Sequence, residues 1–135
     1  MVIDGQGGGI GATIIKRLRE SIGNDIEILA LGTNSIATSR MMKAGANRGA
    51  TGENAIIRTS QIVDVIIGPL GIIMADSMMG EMTPQMAASV SSSEAKKILI
   101  PLTQENVEIV GGSGEPLPHL VEQVVAIIKE INKDV

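Results

Sequence analysis

The nine residues DGQGGGIGA, positions 4–12, hold glycines at 5, 7, 8, 9 and 11. Before them stand Met1, Val2 and Ile3, an apolar start consistent with a buried strand. After them Ile10, Ile14, Ile15, Leu18 and Ile22 recur at helical spacing, with Lys16, Arg17, Arg19 and Glu20 on the opposite face. A glycine loop between a strand and a helix lets the chain turn sharply. It brings amides close to a phosphate with no Cβ in the way, and it aims a helix N-terminus at negative charge. A tight connection alone needs one or two glycines, and the others cost backbone entropy. Ligand binding is therefore preferred over a purely structural turn.

Two glycine templates fit the run. G-x-G-x-x-[GA] falls on Gly7, Gly9 and Ala12, and G-x-x-x-G-x-G falls on Gly5, Gly9 and Gly11. On the second, the chain resembles the short-chain dehydrogenases, whose loop often closes with the Gly-Ile-Gly seen at 9–11. Their chemistry does not carry over, because it requires a catalytic tyrosine and the chain has no tyrosine. In NAD-dependent folds an acidic residue at the end of the second strand accepts the ribose hydroxyls; here Gly32, Thr33, Asn34 and Ser35 occupy that place. Residues 33–60 set Arg40, Lys43, Arg48 and Arg58 against Glu53 alone, which leans towards a ligand with an extra phosphate. Residues 7–13 have the spacing of the phosphate loop in partition-type ATPases, but Ala12 replaces the essential lysine, so phosphoryl transfer is rejected. Methyltransferase glycines would fall one residue out of register after Asp4, and tubulin-like GTPases are far longer.

Composition narrows the field further. With 135 residues, one domain spanning 1–135 is expected. Phe, Tyr and Trp are absent and 21 residues are Ile, so the core must be aliphatic. A chain without aromatic rings cannot stack bases, and a net charge of −4 disfavours a general phosphate-backbone binder; no nucleic-acid partner is expected. The absence of cysteine excludes disulfides, thiol catalysis and Cys-ligated metals, and a single histidine, His119, makes a multi-histidine metal site improbable. No apolar run is long enough to span a bilayer and no signal segment opens the chain, so no membrane partner and a cytoplasmic location are expected.

Further along, Ile26–Leu31 reads as a second strand, followed by a helix from Asn34 or Ser35 to about Ala44. Residues 46–50 make at most a short strand, and Thr51 is placed to cap a helix through Ser60, with Glu53 in its first turn. Ile62–Ile67 is a strand interrupted only by Asp64, read as the polar residue that opens it. Residues 72–82 have no clean period; their methionines suit irregular core filling, with a mobile lid or self-association surface as the functional alternative. Thr83-Pro84 starts a helix that fades through the serines at 91–93. Ile98–Leu102 and Val107–Val110 are two further strands. The four residues between them suit a hairpin, which predicts an antiparallel last strand. Pro116 opens a final amphipathic helix. The predicted fold is α/β, a doubly wound three-layer sandwich with a mainly parallel sheet.

Gly68–Gly71 is expected at the ligand edge, either as a wall for a base or ribose or as an ordinary strand exit. Gly111, Gly112 and Gly114 are read as a structural turn, and His119 as a surface or packing residue. Taken whole, the chain is similar to a family of short bacterial proteins, described as a domain of unknown function, that begin with the same strand and DGQGGGIG motif. The likeness includes RGATGENAI at 48–56 and implies a Rossmann-like fold without implying an activity. The expected function is binding of a nucleotide, NAD or NADP, through the loop residues Gly5, Gln6, Gly7, Gly8, Gly9, Ile10 and Gly11, with the amides of Gln6 to Ile10 on phosphate and Thr33, Asn34 and Ser35 near the ribose. A non-catalytic module that senses a nucleotide or assembles with a partner, and a ligand-free interaction protein, stay open as alternatives. One sheet with no cap domain leaves a substrate half exposed, so a second copy or a partner subunit is expected to complete any active site.

Overall fold

Strand and helix alternate as the hydropathy pattern predicts, in a computed structural model that describes residues 1–102, 106–112 and 114–133. β1 (Val2–Asp4) enters the glycine loop and α1 (Gly9–Ile22) leaves it. β2 (Leu29–Gly32) is followed by α2 (Ser35–Lys43), whose start is set by Asn34: its side chain accepts a hydrogen bond from the Ala37 amide at 2.9 Å. β3 (Arg48–Thr51) leads into α3 (Glu53–Ser60). Gly52, not Thr51, stands at the cap of α3; Thr51 ends the strand and its hydroxyl meets Thr38 Oγ1 at 2.8 Å. β4 (Val65–Pro69) begins one residue after Asp64 and ends in a single 3₁₀ turn, Leu70–Ile73. α4 (Pro84–Ser92) starts at Thr83, whose hydroxyl accepts from the Met86 amide at 3.2 Å. β5 (Lys96–Ile100) and α5 (Leu117–Lys133) complete the described elements.

The five strands are all parallel, in the order β3-β2-β1-β4-β5. Successive residues of β1 face opposite ways. Val2 packs with Ile14, Ile15, Leu18, Val121 and Val125 of α1 and α5, and α2 adds Ala37 and Met41 to that layer. Ile3 faces Ile56 of α3 and Met86 and Val90 of α4. The result is a three-layer α/β sandwich with an aliphatic core on each face of a Rossmann-like sheet.

The predicted antiparallel last strand does not form. β5 pairs with β4 in parallel, and Val107–Val110 joins no ladder. The predicted hairpin loop falls largely on residues 103–105, outside the described residues. Val107, Ile109 and Val110 are exposed, the last fully at 101 %. The alternation of Val107, Glu108 and Ile109 resembles a strand, but among the described residues no facing layer buries its apolar side. Without that burial nothing offsets the entropy of ordering it. Gly111, at φ +85°, turns the chain back, and the Gly112 amide bonds to Ile109 O at 3.0 Å.

Candidate functional site

In an open sheet of this order the chain leaves β1 towards one edge and β4 towards the other, which opens a crevice at their carboxyl ends. The glycine loop sits there. A cleft of about 570 Å³ is lined by Gly5, Gln6, Ile10, Pro69, Met78 and Leu102, among others. Another hollow, about 420 Å³, opens at the amino-terminal edge beside Asp25, Ile62 and Asp64, away from the loop.

Asp4, the last residue of β1, is buried, and its carboxylate organises the turn from within. Oδ1 accepts from the Gly5 amide at 2.8 Å and Oδ2 from the Gly11 amide at 2.7 Å. Burial raises its pKa above the usual value; the amides of Gly11, Gly5 and Ile10 and the charge of Arg40 work against that rise. Gly8 adopts φ +73° as the cap of α1, and a Cβ there would lie 2.8 Å from Ala37 Cα, so backbone shape and packing both demand glycine.

The other four glycines separate into two kinds. A Cβ on Gly5 would overlap the Thr33 hydroxyl and stand 2.6 Å from Met78 Sδ; one on Gly11 would stand 2.5 Å from Met41 Sδ and 3.0 Å from Asp4 Cβ. The fold itself excludes side chains there. At Gly7 the nearest atom is Arg40 Nη1 at 3.8 Å, and at Gly9 it is the same flexible group at 3.3 Å. Packing does not require these two glycines. Their amides make no hydrogen bond among the described residues, whereas the Gly8 amide bonds Gly5 O.

A second carboxylate reaches the loop from the methionine-rich segment. Glu81 Oε1 accepts from the Gln6 amide at 2.8 Å, the Thr33 hydroxyl at 2.6 Å and Asn34 Nδ2 at 2.9 Å. Burial pushes the Glu81 carboxyl up, but these three donors outweigh it and hold its pKa below the ordinary range. Asn34 Nδ2 also bonds Gln6 O at 2.9 Å, tying the start of α2 to the loop. On the other side of the loop Arg40 Nη1 reaches Gly7 O at 3.3 Å.

Of the residues predicted from sequence, Gly5 to Gly11, Thr33 and Asn34 are brought together at one sheet edge. Ser35 is exposed at the first position of α2 and makes no hydrogen bond to the loop among the described residues. The positive balance of residues 33–60 is not gathered there. Arg40 touches the loop, Arg48 pairs with Glu27 at 2.9 Å, and Lys43 and Arg58 lie in the last turns of α2 and α3. His119 is exposed on the first turn of α5. Pro69 and Gly71 line the cleft, while a Cβ on Gly68 would lie 2.6 Å from Ile3 O. Glu81 was not predicted as part of the site: it lies in a stretch without periodicity, and tertiary folding alone carries it to Thr33. The methionines divide, with Met82 and Met86 fully buried and Met79 94 % exposed at the rim.

Among the described residues no helix is long and apolar enough to cross a membrane. Comparison with curated proteins and with solved structures finds no match. A family model does match, spanning residues 1–133 and with them the glycine loop, the sheet and α5, so the chain belongs to the family described as domain of unknown function DUF3842.

Proposed function

We propose that the chain binds a nucleotide cofactor, NAD or NADP, across the carboxyl ends of β1, β2 and β4, with pyrophosphate on the glycine loop. The observation that carries this reading is the pair Gly7 and Gly9: two glycines that packing does not require, with amides left unbonded at the start of α1. A phosphate needs such bare, outward amides, and Arg40 beside them supplies compensating charge. Asp4 takes the Gly5 and Gly11 amides, so the phosphate contacts are narrower than the full run of glycines.

Within this reading a sensing or assembly role is favoured over acid–base catalysis. The residues lining the cleft include no His, Cys, Tyr or Lys; of its two carboxylates Asp4 is engaged by loop amides and Asp76 is exposed, and the Ser77 hydroxyl is committed to Gly71 O at 2.5 Å. The cleft is walled on one side by the sheet edge and is rimmed by exposed Met79, which suits completion by a second copy or a partner chain.

Thermal shift with NAD, NADP, FAD, GTP and S-adenosylmethionine tests the reading, and NADH fluorescence is followed against a dark background because Trp and Tyr are absent. Ligand at ~100 times its Kd should add roughly 2.7 kcal/mol of stability. Gly9→Asp places a carboxylate at the first residue of α1 beside Arg40, where it favours the helix yet blocks a phosphate. The expected result is an unchanged or raised melting temperature with binding lost. No shift with any of the five ligands would overturn the reading.

A further inference from the structure

We infer that Glu81 reads the sugar of the bound dinucleotide, its Oε2 accepting the hydroxyls of the adenosine ribose, and that the chain consequently takes NAD in preference to NADP. This rests on the nucleotide reading above and deepens it.

The end of β2 carries no acid, only Gly32, Thr33 and Asn34. Glu81 supplies one by tertiary contact, from the segment between the 3₁₀ turn and α4. Its two oxygens are used unequally. Oε1 is saturated by three donors, Gln6 N, Thr33 Oγ1 and Asn34 Nδ2, and Oε2 accepts no hydrogen bond among the described residues. A carboxylate pinned through one oxygen presents the other as a fixed acceptor. Vicinal hydroxyls suit it, because the two lone pairs of Oε2 can accept from both.

The backbone on both sides holds Glu81 in that place. Asp76, Met78 and Met79 all lie at positive φ, +64°, +56° and +56°, ahead of Gly80. Such conformations cost energy for non-glycine residues and persist only where surrounding contacts impose them. The contacts are the buried Ser77 hydroxyl on Gly71 O, the Asp76 amide on Met82 O at 2.7 Å, and the fully buried Met82 next to Glu81.

Charge placement sets the preference. The guanidinium of Arg40 lies on the Gly7 and Gly9 side of the loop, and the Glu81 carboxylate on the Gln6, Thr33 and Asn34 side. The cation therefore faces the pyrophosphate and the anion faces the ribose. A 2′-phosphate in place of a hydroxyl would bring like charges together without a donor for Oε2, and that pairing is disfavoured.

Fluorescence titration of NADH and NADPH into the full chain, its Glu81→Gln variant and its Thr33→Val variant tests this. Wild type should bind NADH about tenfold or more tightly than NADPH, a margin typical of one charge-assisted contact. Glu81→Gln should weaken NADH and bring NADPH level with it. Thr33→Val keeps the charge but removes one donor to Oε1; it should weaken NADH without improving NADPH, and it carries the test if Glu81→Gln loses its helical circular dichroism. Equal tightening of both ligands in Glu81→Gln would mean that Glu81 obstructs the site, and would overturn the inference while leaving nucleotide binding intact. So would a wild-type preference for NADPH. Binding of neither ligand, with no thermal shift, overturns the nucleotide reading and this inference together.

Discussion

Asp4 and Glu81 place two carboxylates on one loop, and their surroundings drive them in opposite directions. Asp4, raised from its ordinary 3.8 by burial, binds more protons folded than unfolded, so its ionisation withdraws stability as pH climbs through that raised value. Glu81, lowered from its ordinary 4.5, contributes stability that is present above that value and lost as pH falls through its folded pKa. Glu81→Gln should therefore flatten the acid limb of the stability profile. The difference between wild type and variant, constant near neutrality, should shrink below about pH 4.5 in urea unfolding followed by circular dichroism. The glycines give a second residue-scale test. Gly11→Ala drives a methyl against Met41 and Asp4 and should cost about 1–3 kcal/mol. Gly7→Ala meets nothing closer than 3.8 Å and should stay within about 0.5 kcal/mol of wild type. The sequence presented all five glycines alike. Only the packing of Thr33, Ala37 and Met41 around the loop tells apart those the fold requires from those it leaves bare.

At the scale of elements, most starts and stops were legible because they are local chemistry. Asn34 and Thr83 cap their helices through their own side chains, as their residue types predict. Thr83→Ala should cost about 1 kcal/mol in equilibrium unfolding, since the Met86 amide loses its acceptor and Glu53 Oε1 loses a donor at 2.6 Å. What misled was alternation without a partner. Val107–Val110 has a strand-like rhythm, yet a strand is made by the layer that covers it, and the described residues offer none. The segment from Met74 to Met82 was illegible for the converse reason. Its order comes from long-range bonds such as Glu81 to Thr33 and from backbone conformations that residue type disfavours.

For the whole molecule, a core free of aromatic rings divides into two aliphatic layers, one on each face of a parallel sheet. α5 supplies Val121, Val124, Val125 and Ile128 to one of them. Burial of such side chains is worth about 1.5–3 kcal/mol each, and the total is comparable with the ~5–15 kcal/mol that holds a typical domain folded. A chain ending at Glu115 should consequently lose its cooperative thermal transition in calorimetry. The alternation of strands and helices and the two-faced aliphatic core follow from hydropathy, and the glycines mark the loop after β1, whereas the strand order and the wholly parallel pairing come from the tertiary fold. The roles of Glu81 and Arg40 depend on which segments the fold brings beside that loop. The Asp4 network also bears on how fast any guest of the loop arrives. Its bonds to Gly5 and Gly11 set the loop backbone from within the fold, so on the proposed nucleotide reading an anion would meet a backbone already in place. Movement on binding would then fall to exposed side-chain ends such as that of Arg40, a matter of picoseconds to nanoseconds rather than the slower reordering of a loop.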